Sequence, residues 1–263
     1  MPKIITIMNQ KGGVGKTSTT INLASALARY NKRVLLLDMD PQGNCSLALG
    51  IDPTISKKTM SELLLSSLSL KQVIRKSDVP LLSLVPSNLT LAMVESSLYK
   101  QDKDASVTLL KEKLEDKEIQ NYDYVFIDCP PSLGFLSLNA LVASQYLLIP
   151  MQCEYFALDG LTHLLSTIAK VQREDNPTLS IMGILLTMVD SKTNLCSEVS
   201  SEVRNNFKDA VFITEIPRNV SIPEAISKGM PVNLYKPLSA GSLAYASLAR
   251  EVIHKIEEKE KQA

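Results

Sequence analysis

The sequence is poor in the residues that build cofactor and disulfide sites. Its four cysteines, Cys45, Cys129, Cys153 and Cys196, stand far apart and none forms a C-x-x-C pair, which argues against a zinc knuckle, a redox pair and an iron–sulfur cluster. Reduced thiols in the cytoplasm are the expectation. The two histidines, His163 and His254, lie in helical patterns without a partner nearby in sequence and read as structural. There is no tryptophan, and the tyrosines and methionines are scattered rather than gathered into a functional box. Charge of either sign is not in excess, since 28 basic and 28 acidic residues cancel, so any nucleic-acid contact has to come from a local patch. No signal-peptide segment opens the chain and no run of about 18 apolar residues occurs, which predicts a protein that is neither exported nor membrane-spanning. Pro/Gly/Ser-rich linkers, low-complexity tracts and internal repeats are also missing. With 263 residues, 45% of them hydrophobic, a single domain over 1–263 with one substantial core is expected.

What is present is concentrated in Asn9-Gln10-Lys11-Gly12-Gly13-Val14-Gly15-Lys16-Thr17-Ser18. A short β-branched run, Ile4 to Met8, precedes it, and Ile21, Ala24 and Ala28, with Leu23 and Leu27, repeat at helical spacing after it. Strand, glycine loop and helix in that order make a cradle for phosphate. The glycines let successive N–H groups turn inward, and the helix beginning near Gly15 adds the positive end of its dipole. Lys16 then reaches the β/γ oxygens and the Thr17 hydroxyl is a direct Mg²⁺ ligand, as in P-loop nucleotide hydrolases. The strict pattern G-x-x-x-x-G-K-[ST] fails at Gln10. In its place stands a second lysine, Lys11, giving K-G-G-x-G-K-T.

Two further strands end in acids. Arg33 to Asp38 reads as a buried parallel strand, followed by the polar turn Met39-Asp40-Pro41-Gln42-Gly43-Asn44; Tyr124 to Asp128 reads as a second, followed by Cys129-Pro130-Pro131-Ser132-Leu133-Gly134. In open α/β sheets ligands gather at the carboxyl ends of strands. Asp128 is therefore expected to hold a Mg²⁺-bound water. The Pro-Pro-x-x-Gly segment is expected to change shape with the γ-phosphate.

The remaining chain alternates. A strand ends near Ser83 to Pro86; helices are expected over Leu89–Tyr99 and Ala105–Leu114, joined by the polar turn Gln101 to Asp104. Then come strand Tyr146–Met151, helix Glu154–Val171, strand Ile181–Met188, helix Leu195–Phe207, strand Val211–Ile213, and a last helix from Ser242 to Lys255. The stretch from Asp52 to Leu70 carries no readable chemistry. Alternating strands and helices imply an α/β fold with a doubly wound, mainly parallel sheet flanked by helices.

On N-Q-K-G-G-V-G-K-T, D-M-D-P-Q-G-N, D-C-P-P-S-L-G, Q-C-E-Y-F-A-L-D-G-L and I-P-R-N-V, the chain resembles the deviant P-loop ATPases of the ParA/MinD family, in particular the small ParA/Soj-type chromosome or plasmid partition ATPases. The resemblance runs from Lys3 to about Ile253. It implies ATP hydrolysis with Mg²⁺; a trans-acting Lys11 that crosses a dimer interface to the other subunit's nucleotide; an Asp38 that helps organise the magnesium water shell; and an Asp40 that positions or activates the attacking water. It also implies adenine contacts at Pro217 and Asn219, with Arg218 beside them. By the same resemblance the protein is an ATP-dependent homodimer, stimulated by a ParB-type partner and bound non-specifically to DNA, hence cytoplasmic and nucleoid-associated. With the first strand starting near Lys3, an amino-terminal helix-turn-helix is not expected. Soj-type relatives carry a basic residue after I-P-R-N-V where this chain has Ser221, so DNA contacts fall to Lys192, Arg204 and Lys208, and weak binding is expected. A MinD-like division-site regulator is the alternative, with a metal-cluster carrier behind it. The charged run Glu257 to Lys261 lacks the bulky apolar residues that a membrane-binding helix needs.

Overall fold

The computed structural model describes residues 1–52, 54–55, 58–98, 107–154 and 157–262. The expected turn Gln101 to Asp104, with Tyr99, Ala105, and Tyr155-Phe156 of the Q-C-E-Y-F-A-L-D-G-L motif, lies outside the described residues. Among the described residues seven strands form one sheet: β1 Lys3–Ile7, β2 Val34–Asp38, β3 Arg75–Lys76, β4 Leu82–Val85, β5 Tyr124–Asp128, β6 Tyr146–Gln152 and β7 Ser180–Thr187, in the order β3-β4-β2-β5-β1-β6-β7. All pairings are parallel except β3 with β4. Parallel strands covered on both faces read as unbroken apolar runs rather than as alternation. Val34-Leu35-Leu36-Leu37 and Tyr124-Val125-Phe126-Ile127 are buried throughout.

The pleat divides these residues between two cores. Leu35, Leu37, Val125 and Ile127 face one side, against Leu91 and Val94 of the helix Thr90–Leu98, Leu136 and Leu141 of the helix Phe135–Ala143, and Leu161 and Leu164 of the helix Ala157–Glu174. Leu36 and Phe126 face the other, against Ile21, Ala24 and Leu27 of the helix Lys16–Arg29 and Leu248 and Val252 of the helix Ala240–Gln262. The register aligns Ile7 and Asp38 with Asp128, so three strands deliver their carboxyl ends to one level. Because β5 lies between β1 and β2, Asp128 comes up directly beside the glycine loop that follows β1.

Several expected boundaries shift. The helix expected from Glu154 starts at Ala157 and runs to Glu174, and the final helix spans Ala240–Gln262. The strand expected at Val211–Ile213 does not form. Val211 makes one isolated parallel bridge to Ile184 and the Phe212 N–H donates to Ile184 O at 2.9 Å, but the N–H groups of Ile213 and Thr214 go to the Glu251 carboxylate at 2.7 and 2.9 Å instead of continuing a ladder. Within the stretch that carried no chemistry, Thr59 and Glu62 close a capping box on the helix Met60–Leu65.

Candidate functional site

The glycine loop owes its shape to two left-handed residues, Gly13 at φ 77° and Gly15 at φ 86°. A Cβ at Gly13 would meet nothing within 4 Å, so conformation rather than space demands glycine there. Gly15 caps the helix Lys16–Arg29 without any side-chain oxygen, which leaves the first N–H groups turned toward the loop. Two outside side chains pin this arrangement. Buried Asn9 donates to Pro150 O at 2.7 Å and accepts the Lys11 N–H at 3.0 Å, and the Thr187 hydroxyl, at the end of β7, donates to Val14 O at 2.8 Å.

Inside the loop, the Lys16 ammonium donates to Lys11 O at 3.1 Å. Burial lowers its pKa, and the charges of Asp128 and Asp40 act against that shift. Thr17 Oγ1 donates to Asp128 Oδ2 at 2.7 Å and Thr20 Oγ1 to Asp128 Oδ1 at 2.9 Å, so the loop's hydroxyl and the β5 acid already share a hydrogen bond. Asp128 is wholly buried. Burial pushes its pKa up to about 6 even though both hydroxyls favour the ionised form. Asp38, one strand over, is pushed to about 8, first by burial and then by the negative charge of Asp128. Its oxygens accept from the Ser46 N–H at 2.9 Å, the Ser46 hydroxyl at 2.7 Å and the Asp40 N–H at 3.2 Å. Asp38 therefore meets the site through Asp128 and the backbone of Asp40, not through Thr17. Asp40 is 7% exposed, accepts the Gln42 N–H at 2.9 Å, and borders the cavity in front of the loop.

That cavity measures about 540 Å³ and is walled by Gly12, Gly13, Gly15, Lys16, Thr17, Ser18, Asp40 and Pro131, with Gln42 and Asn44 at its side. A second cavity of about 350 Å³ shares Gly13, Gly15 and Ser18 with it and extends between Thr187, Met188, Pro217, Arg218, Asn219 and the buried Tyr245. The loop thus stands between an acid-flanked chamber and a more apolar slot, the division that a triphosphate and its base require. Pro217 and Asn219 both line the slot, as does Arg218. Tyr245 gave no signal in the sequence, because it lines the slot with loop residues more than 200 positions away. Thr187 was detectable in principle, as a polar residue at the carboxyl end of a buried parallel strand.

The other basic positions go separate ways. Lys11 is not among the residues that wall the phosphate chamber and pairs with Glu154, the two side chains 45% and 42% exposed. Arg204 is spent internally: its guanidinium pairs with Glu215 at 2.8 Å and donates to Phe212 O at 3.1 Å, tying the helix Asn194–Phe207 to the segment that leads to Pro217. Lys192 and Lys208 are exposed. Ser221 is 5% exposed and opens the helix Ser221–Ser227, with its N–H on Asn219 Oδ1 at 3.0 Å.

Comparison with known proteins agrees with this geometry. Residues 2–181 match a family described as an AAA domain. The chain is 47% identical over 252 residues to the sporulation initiation inhibitor protein Soj of Bacillus subtilis, covering 96% of this chain and 98% of that one. It is 45% identical over 262 residues to the chromosome partitioning protein ParA of Caulobacter vibrioides, covering 99% and 97%. The chain belongs to the Soj/ParA family of partition ATPases. Among solved structures it superposes on the cobyrinic acid a,c-diamide synthase of Mycobacterium smegmatis with bound ADP and magnesium, at a TM-score of 0.85 and 33% identity over 98% of this chain and 96% of that one. As a Soj/ParA-type P-loop ATPase it hydrolyses ATP and uses Mg²⁺. The donor set suits that pair. A desolvated lysine and inward N–H groups are of the kind that suits phosphate, and a hydroxyl and a buried carboxylate, hydrogen-bonded to each other, are hard oxygens of the kind that suits a divalent cation or its bound water. Among the described residues no helix is long and apolar enough to cross a membrane.

Proposed function

We propose that this Soj/ParA-type ATPase closes into a sandwich dimer around ATP, binds duplex DNA without sequence preference, and is stimulated by a ParB-type partner to hydrolyse ATP and so help move a replicated chromosome or plasmid locus within the nucleoid. The observation that carries this reading is the separate engagement of the two loop lysines. Lys16 walls the phosphate chamber of its own chain, whereas Lys11 does not and pairs with Glu154 at the surface. A loop cation that its own site does not use is free to serve the nucleotide of a second copy. ATP binding and dimerisation then become one event.

In this mechanism the loop N–H groups and Lys16 would hold the β- and γ-phosphates, and Thr17 would hold the cation directly and Asp128 through a bound water, with Asp38 oriented behind them by Ser46. Bound Mg²⁺ supplies neutralisation of the charge that develops on the phosphate oxygens. Asp40 faces the same chamber and orients a water for in-line attack on the γ-phosphorus; the bond to the β–γ bridging oxygen breaks, releasing ADP and phosphate. Lys192 and Lys208 offer exposed charge to DNA phosphates, while Arg204 contributes by holding its helix in place. Measuring ATP turnover with and without duplex DNA and the partner protein tests the reading. It requires turnover to rise when both are added, and turnover indifferent to both would contradict it.

A further inference from the structure

Glu95 lies on the helix Thr90–Leu98, which is fixed to the core through Leu91 and Val94. Its carboxylate reaches across to the start of the helix Phe135–Ala143, where Oε1 accepts the Leu136 N–H in a long contact of 3.4 Å, at the positive end of the helix dipole. Gly134, the residue that caps this helix, allows the approach: a Cβ there would stand 2.3 Å from Glu95 Oε1. Its φ of −82° is ordinary, so glycine is demanded by space and not by conformation. On the same helical turn the Ser137 hydroxyl donates to Ser132 O at 2.5 Å, folding the preceding loop onto the helix start.

That loop is the segment 129–134, and its Pro131 borders the phosphate chamber. One end is fixed by Asp128 in the sheet. The other is fixed by the helix start that Glu95 grips. We propose that Glu95 is a positioning residue for ATP hydrolysis: without touching nucleotide, it sets where the 129–134 loop rests against the γ-phosphate end of the chamber. This rests on reading that loop as the segment that responds to the γ-phosphate.

The test measures kcat, KM, nucleotide affinity and thermal midpoint for Glu95→Ala, Glu95→Gln, Gly134→Ala and the double variant Glu95→Ala/Gly134→Ala. Glu95→Ala should lower kcat about three- to tenfold while KM and affinity stay within about twofold, the pattern of a group that acts on the transition state rather than on binding. Glu95→Gln, which keeps Oε1, should recover most of the loss. Gly134→Ala should imitate Glu95→Ala by pushing the carboxylate away, and the double variant should be no slower than the slower single one, because both remove the same contact. A Glu95→Ala protein with the parent kcat, a KM that moves as much as kcat, or multiplicative losses in the double variant would overturn the proposal. Should Glu95→Ala not fold, Gly134→Ala decides alone, and parent kcat there overturns it. Asp40→Ala serves as the control for the ATPase reading itself: turnover lost in that variant but untouched by Glu95 and Gly134 changes would leave the reading standing and remove only Glu95.

Discussion

Lys16 and Lys11 are five positions apart and are expected to fail differently. Lys16→Ala removes the one side-chain cation that walls the phosphate chamber among the described residues, so nucleotide binding should be lost. Lys11→Ala leaves that chamber intact, so nucleotide should still bind. Equilibrium binding of a fluorescent ATP analogue separates the two, and equal losses would place Lys11 in its own chain's site. The buried acids make a second prediction at this scale. Folding raises the carboxyl pKa of Asp38 to about 8 and of Asp128 to about 6, so between about pH 4 and pH 8 the native chain holds more protons than the unfolded one. Stability of the nucleotide-free protein from these groups is therefore greatest at low pH and declines as pH rises through that window. Asp38→Asn removes the larger part of this cost, so its advantage in thermal midpoint over the parent should widen from pH 5 to pH 8. A constant difference across that range would show that Asp38 does not titrate there.

At the scale of elements, the glycine loop works because two residues sit in the left-handed region and two outside side chains hold it. Gly13→Ala meets no steric obstacle, so its cost is the backbone strain of about 1–2 kcal/mol. Spent on the loop's phosphate-binding shape, that weakens ATP affinity about five- to thirtyfold with little change in fold; titration calorimetry checks it, and parent affinity would mean that the φ of 77° is not needed for binding. Arg204→Ala should disturb the protein through its half-exposed pair with Glu215, a loss of about 1 kcal/mol or less in thermal or denaturant unfolding. An effect confined to DNA affinity would contradict that internal role. These elements differ in how legible they were. The strand–loop–helix unit, β2 and β5 with their terminal acids, and the strands β4, β6 and β7 could be read because buried parallel strands are continuous apolar runs and the glycine loop has a chemical pattern, whereas the two-residue β3 offers no such run. The false strand at Val211–Ile213 had the right composition, but after the Phe212 N–H bonds to Ile184 O, Glu251, distant in sequence, takes the N–H groups of Ile213 and Thr214 and ends the pairing. The helix Phe135–Ala143 was passed over because it is apolar nearly all round, a pattern without periodicity. Glu95 and Tyr245 reach the site only through tertiary contacts, which single-sequence spacing does not encode.

For the whole molecule, a chain without net charge binds DNA only where its cations are displayed. Of the three cations considered, Lys192 and Lys208 are exposed and Arg204 is engaged. With few phosphate contacts per chain, affinity for duplex should be low, similar for two unrelated sequences, and steeply reduced by salt because released counterions drive association. Lys192→Ala should lower both the affinity and the salt slope; affinity indifferent to salt would contradict an electrostatic interface. The central claim is that ATP makes one chain complete the site of another. The measurement closest to it is the mass by light scattering of Asp40→Ala with Mg²⁺ and ATP, with and without the additional Lys11→Ala change. Asp40→Ala alone should hold ATP without turning it over and shift to twice the chain's 28.9 kDa, and adding Lys11→Ala should return it to the mass of one chain. A dimer that survives the loss of Lys11, or an ATP-bound Asp40→Ala protein that stays at the mass of one chain, would contradict the account.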